Sequence, residues 1–175
     1  MKTFLLGVLA SALLTIVAVS LYFVLGIAPV ATSAAPMPLE HFFAKAALRS
    51  RISRESPKNV PITANEGDYL EGARVYRENC AVCHGLPGVP QSAIARGLFP
   101  KAPQLFRGKG VTDDEPGETY WKVMNGIRLT GMPGFQQSLS EREAWEVTLL
   151  LAHADTLSNP VRTALAVPIE RPSVK

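Results

Sequence analysis

Cysteine and histidine are scarce: two and three among 175 residues. Both cysteines, Cys80 and Cys83, fall within one short segment. No thiol is left for the disulfide framework that staples small secreted domains. A zinc site needs more cysteine or histidine at ligand spacing, and outside that segment only His41 and His153 remain. Aromatic residues make up 7% of the chain, and no basic stripe is interleaved with them, so a nucleic-acid role has no footing. No convincing run alternates apolar and polar residues, so strands are not expected. The net charge of +3 conceals a division. Between Gly67 and Leu157 nine lysines and arginines face eleven aspartates and glutamates, and the excess of cations lies in the flanking segments. No catalytic constellation is visible, so the chain does not read as an enzyme and no small-molecule substrate is expected.

Charge is also missing from one long run, Phe4 to Val30. At a rise of about 1.5 Å per residue, some 20 helical residues cover the roughly 30 Å hydrocarbon core of a bilayer. A secretory signal has an apolar stretch of only about 7–15 residues, so the length favours a retained single-pass anchor. A removed signal is the alternative, with Ser33-Ala34-Ala35 as its processing site. Lys2 precedes the run, whereas Lys45, Arg49, Arg51 and Arg54 follow it. Read by itself, the positive-inside rule would place the C-terminal side in the cytoplasm.

Beyond the run, Leu39, Phe42, Phe43 and Ala46 recur at helical spacing with Glu40, His41, Lys45 and Arg49 between them. Three readings stay open: a helix in the lipid headgroup region, a docking helix on a membrane partner, and a solvated stalk. Ser56 to Ile62 then carries Pro57 and Pro61, which forbid a continuous helix. This segment is expected to be a linker that lets the following domain stand off or swing above the membrane.

A helical pattern resumes at Glu66 and leads into Cys80-Ala81-Val82-Cys83-His84. Two residues between the thiols let one helical turn present both to the vinyl groups of a flat macrocycle, and the adjacent histidine can turn onto its iron. Cys-x-x-Cys-His is therefore the attachment signature of a c-type haem. A redox dithiol would want a strand before the motif and a βαβ context. Gly72 and Tyr76, four apart, share a helix face. A mid-helix glycine costs about 1 kcal/mol relative to alanine, which close approach of a second helix would offset. The expected partner is the last helix, which opens on the capping box Ser140-Glu141-Arg142-Glu143 and carries Trp145, Leu149 and Ala152 to about Asp155. Prolines and glycines between the two mark loops, interrupted by one short helix from about Glu118 to Ile127.

In these features the chain resembles a class I monohaem cytochrome c fused to an N-terminal membrane anchor. The resemblance runs from about Glu66 to Leu157. It rests on Gly72-x-x-x-Tyr76, on Cys80-x-x-Cys83-His84-Gly85, on Pro103-x-Leu105, on Asn125 to Phe135 and on the tryptophan-bearing last helix. It implies an all-α fold: a small helical domain wrapped around one covalent haem c, plus one transmembrane helix. It implies His84 and Met132 as the iron ligands and Cys80 and Cys83 as the attachment points. One departure is Thr148-Leu149-Leu150-Leu151, where many members carry an aromatic.

The residues make their own case for Met132. A thioether is a soft, neutral ligand that raises the potential of a low-spin iron. Met1 and Met37 lie outside the domain, and Met124 sits on the short helix where core packing is its ordinary fate. Gly131 and Pro133 flank Met132 in a loop that can aim its sulfur. The rivals are His153 and a vacant sixth site. Asn125, Tyr120 and Trp121 are candidates for haem hydrogen bonds or, equally, for caps and core. Arg96, Lys101, Arg107 and Lys109 either ring the haem edge and steer an acidic partner or solvate a loop.

The expected organisation is an anchor or signal (1–30), a juxtamembrane segment and linker (31–65), a cytochrome c domain (66–157) and a tail (158–175). Haem attachment in the proteins it resembles occurs outside the cytoplasm, and long domains translocate largely regardless of charge. The haem domain is therefore expected on the periplasmic side of the inner membrane. The expected role is single-electron transfer between redox proteins, alone or within a respiratory or photosynthetic complex. The alternative is a ligand-sensing or peroxidatic haem protein with an open sixth site.

Overall fold

The computed structural model describes residues 1–166, and every regular element among them is helical. The described residues form two compact units, Met1–Ala44 and a second from Lys45 onward.

In the first unit, helix α1 (Lys2–Val24) carries no charge after Lys2 and buries none of its residues. Its 23 residues are long and apolar enough to cross a membrane. Gly26 turns the chain at a positive φ of 69°. Helix α2 (Glu40–Glu55) starts where the Glu40 carboxylate accepts the Met37 backbone N–H at 2.8 Å. Phe42 and Phe43 meet edge to face at 5.3 Å and are exposed. The helix runs past the amphipathic segment legible in sequence and crosses into the second unit at Lys45.

The second unit is built on helices α3 (Glu66–Asn79) and α7 (Glu141–Ala152). Each begins with a reciprocal cap. Asn65 accepts from the N–H groups of Gly67 and Asp68 while the Asp68 carboxylate accepts from that of Asn65. Ser140 and Glu143 do the same for α7, as the sequence pattern predicts. Gly72 is where the two helices touch: a Cβ there would lie 2.5 Å from the Glu146 carbonyl oxygen and 3.2 Å from the Leu150 Cβ. The expected close approach is therefore observed, and Ala73, Tyr76, Val147 and Leu150 bury fully around it. Polar side chains tie the same seam. Arg142 donates to the buried carboxylates of Asp68 and Glu146, and Arg74 reaches Glu143 at 3.0 Å. The backbone N–H of Asn65 and then Arg142 hold the Asp68 carboxyl below its ordinary value, whereas desolvation lifts that of Glu146.

Helix α8 (Asn159–Ala166) lies within the segment read as a tail and packs on α3, with Val161 and Leu165 each 1% exposed. One apolar pair at i, i+4 is too short a pattern to announce a helix that tertiary burial holds in place. Residues 167–175 of that tail lie outside the described residues. Two short helices, α4 (Ala81–His84) and α5 (Ala93–Gly97), precede α6 (Pro116–Asn125). Sequence reading leaves α5 as loop, yet Ser92 caps it by accepting the Ala95 N–H at 3.0 Å.

Helix α6 starts and stops about two residues earlier than expected. Pro116 occupies a first-turn position where a missing N–H costs nothing. At the other end Gly126 takes a φ of 66°, and Ile127 donates its N–H to the Met132 carbonyl at 3.1 Å instead of prolonging the helix. A knotted loop follows. Thr130 Oγ1 donates to the Ile127 carbonyl at 2.6 Å and accepts the Met132 N–H at 3.1 Å. Phe135 and Gln136 return to the carbonyls of Val123 and Met124. Tyr120 stacks on Trp145 at 4.2 Å, joining α6 to α7.

Two substitutions test these constraints. Gly72→Ala forces a methyl against the backbone of α7, so a loss of roughly 1–3 kcal/mol is expected from chemical denaturation, as for other overpacked sites. At Gly126 an added Cβ meets the Gly134 nitrogen at 2.5 Å in a left-handed conformation. Gly126→Ala is expected to lower the thermal midpoint and to speed tryptic cleavage after Arg128.

Candidate functional site

Helix α3 does not end freely. Cys80 donates its N–H to the Tyr76 carbonyl at 2.8 Å, and His84 donates to that of Cys80 at 2.9 Å. The cysteine motif thus continues as one more helical turn, α4, until Gly85 leaves the helix at a φ of 77°. The buried Tyr76 hydroxyl donates to the Gly85 carbonyl at 2.7 Å, fixing where the turn stops. Phe106 seats its ring edge-on to Tyr76 at 5.0 Å.

This turn forms part of the wall of a cavity of about 290 Å³. Cys80, Cys83, His84 and Met132 all line it, and most of the remaining wall is apolar, with Leu98, Leu105, Val123 and Phe135 prominent. The four residues singled out by sequence, more than fifty positions apart at the extremes, therefore converge on one space.

The state of each side chain follows from its surroundings. His84 Nδ1 lies 2.8 Å from the Pro103 carbonyl oxygen. A carbonyl only accepts, so Nδ1 carries the proton and Nε2 keeps its lone pair. Desolvation lowers the imidazole pKa, with the Pro103 bond opposing it, which favours the neutral form that ligates metals. Burial pushes the Cys80 thiol up to about 12, helped by Cys83. Redox-active dithiols need the opposite shift, so the environment argues against a disulfide-exchange site.

The rival candidates lie elsewhere. Met124 is half-buried against the hydrophobic core and is absent from the cavity wall. His153 caps α7, with Nδ1 2.9 Å from the Leu149 carbonyl, and faces Tyr69 beside a separate cleft. Tyr120, Trp121 and Asn125 do not line the cavity either. Tyr120 stacks on Trp145, Trp121 donates to Glu55 at 3.1 Å, and Asn125 donates to the Trp121 carbonyl at 2.9 Å. Of the four loop cations only Lys101 reaches the wall, where its ammonium donates to the Arg96 carbonyl. Lys109 instead pairs with Asp113 at 3.2 Å.

Two wall residues escape a motif-based reading. Thr119 and Lys122 flank Val123 on one face of α6, and Lys122 pairs with Asp114 at 3.2 Å while its stem borders the cavity. The i, i+3, i+4 spacing of 119, 122 and 123 was the available signal.

Among the described residues no three His, Cys, Asp or Glu gather as a cage for a bare ion. Two thiols, an imidazole with a free Nε2 and a thioether around an otherwise apolar space suit a covalently held, flat, largely apolar prosthetic group. The donor set fits a c-type haem.

Comparison with known proteins leads the same way. Residues 67–150 match the family described as cytochrome C oxidase, cbb3-type, subunit III. The chain is 33% identical to cytochrome c6 of Limnospira maxima over 81 residues, 46% of this chain and 86% of that protein. It is also 26% identical to a thiosulfate dehydrogenase of Thiomonas intermedia (strain K12) over 114 residues. That match spans 63% of this chain but only 34% of the dehydrogenase, about a third of its length. Since the matched segment is the one that builds the cavity and covers most of a cytochrome c6, the chain belongs to the cytochrome c family, whose covalent haem serves electron transfer.

Proposed function

We propose that this chain is a membrane-tethered carrier of single electrons, with one haem attached through Cys80 and Cys83 and ligated by His84 and Met132. The observation that carries the reading is the convergence of those four side chains on one apolar cavity. When bound, the haem supplies a reversible one-electron iron couple. The protein's part is to hold and insulate it. The Pro103 carbonyl orients His84 and fixes its tautomer. The Thr130 and Ile127 hydrogen bonds freeze the backbone on both sides of Met132. The wall around the site is mostly apolar.

With His84 and Met132 both available to ligate the iron, no ligand position would be left for a substrate, so the reading is a carrier and not an enzyme. The partners on this reading are redox proteins or subunits of a respiratory or photosynthetic membrane complex. Helix α1 is the anchor in the inner membrane, with the haem domain, 66–157, on the periplasmic side. Its length and its lack of charge after Lys2 support retention over removal as a signal.

Ligation is tested by carbon monoxide. Denatured wild-type protein should keep its porphyrin in acidic organic solvent, and the ferrous native form should bind carbon monoxide poorly. Met132→Ala should be high-spin and bind it readily. Equal binding by wild type and variant would favour the open-site alternative, a sensor or peroxidatic protein. The anchor is tested by fractionation: the full chain should stay in the membrane pellet through high-salt and alkaline washes, since apolar residues are not released by screening charge. A mature N-terminus near Ala34 would show instead that α1 is removed.

A further inference from the structure

The sequence casts 56–62 as a linker from which the haem domain swings, yet the structure seats its beginning. Ser56 is buried, and Gly117 lies so close to Pro57 that a Cβ there would collide with the Pro57 carbonyl oxygen. Ile52 is 4% exposed, and Leu48, Ile52 and Ser56, four apart, form the sheltered stripe of the C-terminal half of α2. From the same half, Glu55 accepts the Trp121 indole N–H at 3.1 Å and is itself held by Arg51 at 2.6 Å. All of these residues belong to the second unit.

Helix α6 therefore has three occupied sides. Thr119, Lys122 and Val123 face the cavity, Tyr120 faces Trp145 of α7, and Gly117 with Trp121, four apart, occupy the side opposite the cavity. We propose that residues 52–57 are a strap built into the haem domain, docked on α6 through Pro57 against Gly117 and Glu55 against Trp121, and that it buttresses the cavity wall from behind. The cavity half of this proposal rests on the haem reading given above; the docking half does not. On this account a chain cut at Asn59 loses part of its domain and not merely its tether.

Gly117→Ala separates the possibilities. Alanine is the better helix former, so with nothing docked the change should be neutral or stabilising. With the strap in place, the methyl displaces Pro57. In the full-length holoprotein in detergent, tryptic cleavage after Arg51 and Arg54 should accelerate about fivefold or more, the scale set by losing one such contact, and the thermal midpoint should fall. Glu55→Ala, which touches neither cavity nor core, should reproduce the faster cleavage if Gly117→Ala does not fold. Unchanged cleavage with an unchanged or raised midpoint would overturn the strap. Both variants should also bind carbon monoxide severalfold faster in the ferrous form. Faster cleavage without faster binding would overturn the buttressing role while leaving the docking and the haem assignment standing.

Discussion

The contact between α3 and α7 at Gly72 governs the arrangement of everything around it. With no side chain at that point, the α3 backbone comes to rest against the Glu146 carbonyl, and any larger residue would hold the helices apart. Eight residues further along α3, about 12 Å at helical rise, Cys80 reaches the cavity wall, and α7 delivers Leu151 to the same wall. The crossing thus sets the depth at which the attachment motif emerges. Burial of Tyr76 beside it then orders the motif's end, because the phenol's one hydroxyl finds its partner in the Gly85 carbonyl.

The side-chain core around Gly72 ends at the cavity, which is where the prosthetic group of the family would sit. The wall comes from separate sources held by separate means. The cysteine turn is an extension of α3, the Pro103 segment is joined to it through His84, and the methionine loop is laced to the end of α6. Each of these holds its cavity-lining side chain through the backbone rather than through long flexible side chains.

Charge plays a lesser and local part. Asp68, Arg142 and Glu146 form a bridge in which one arginine serves two buried carboxylates, whose pKa values nevertheless move in opposite directions. Asp68 has the extra support of the Asn65 N–H, whereas Glu146 has burial against it. Near the cavity, the Lys122 ammonium is satisfied by Asp114 and that of Lys101 by a backbone carbonyl, so neither stands as a bare cation at the wall.

How much of this was legible beforehand depends on the range of the interaction involved. The attachment motif, the apolar run, the Ser140 capping box and the meaning of Gly72 each rest on residues within a few positions of one another, where spacing translates directly into geometry. The place of Met132 on the cavity wall was legible because its flanking Gly131 and Pro133 set it apart from methionines on helices. Helix α8 was not, since Val161 and Leu165 acquire their burial only from α3. The wall roles of Lys122 and Thr119 and the docking of Pro57 on Gly117 were hidden for the same reason: they join segments separated by long stretches of chain. Tyr120 and Trp121 show the limit most plainly. Sequence leaves both open between haem hydrogen bonds and core packing, and only the rotation of α6 sends one to Trp145, the other to Glu55, and neither to the cavity. Local chemistry by itself singled out two thiols, an imidazole and a thioether that share one cavity wall; the packing of α6 between cavity, α7 and strap, a property of the whole chain, decided which residues surround them.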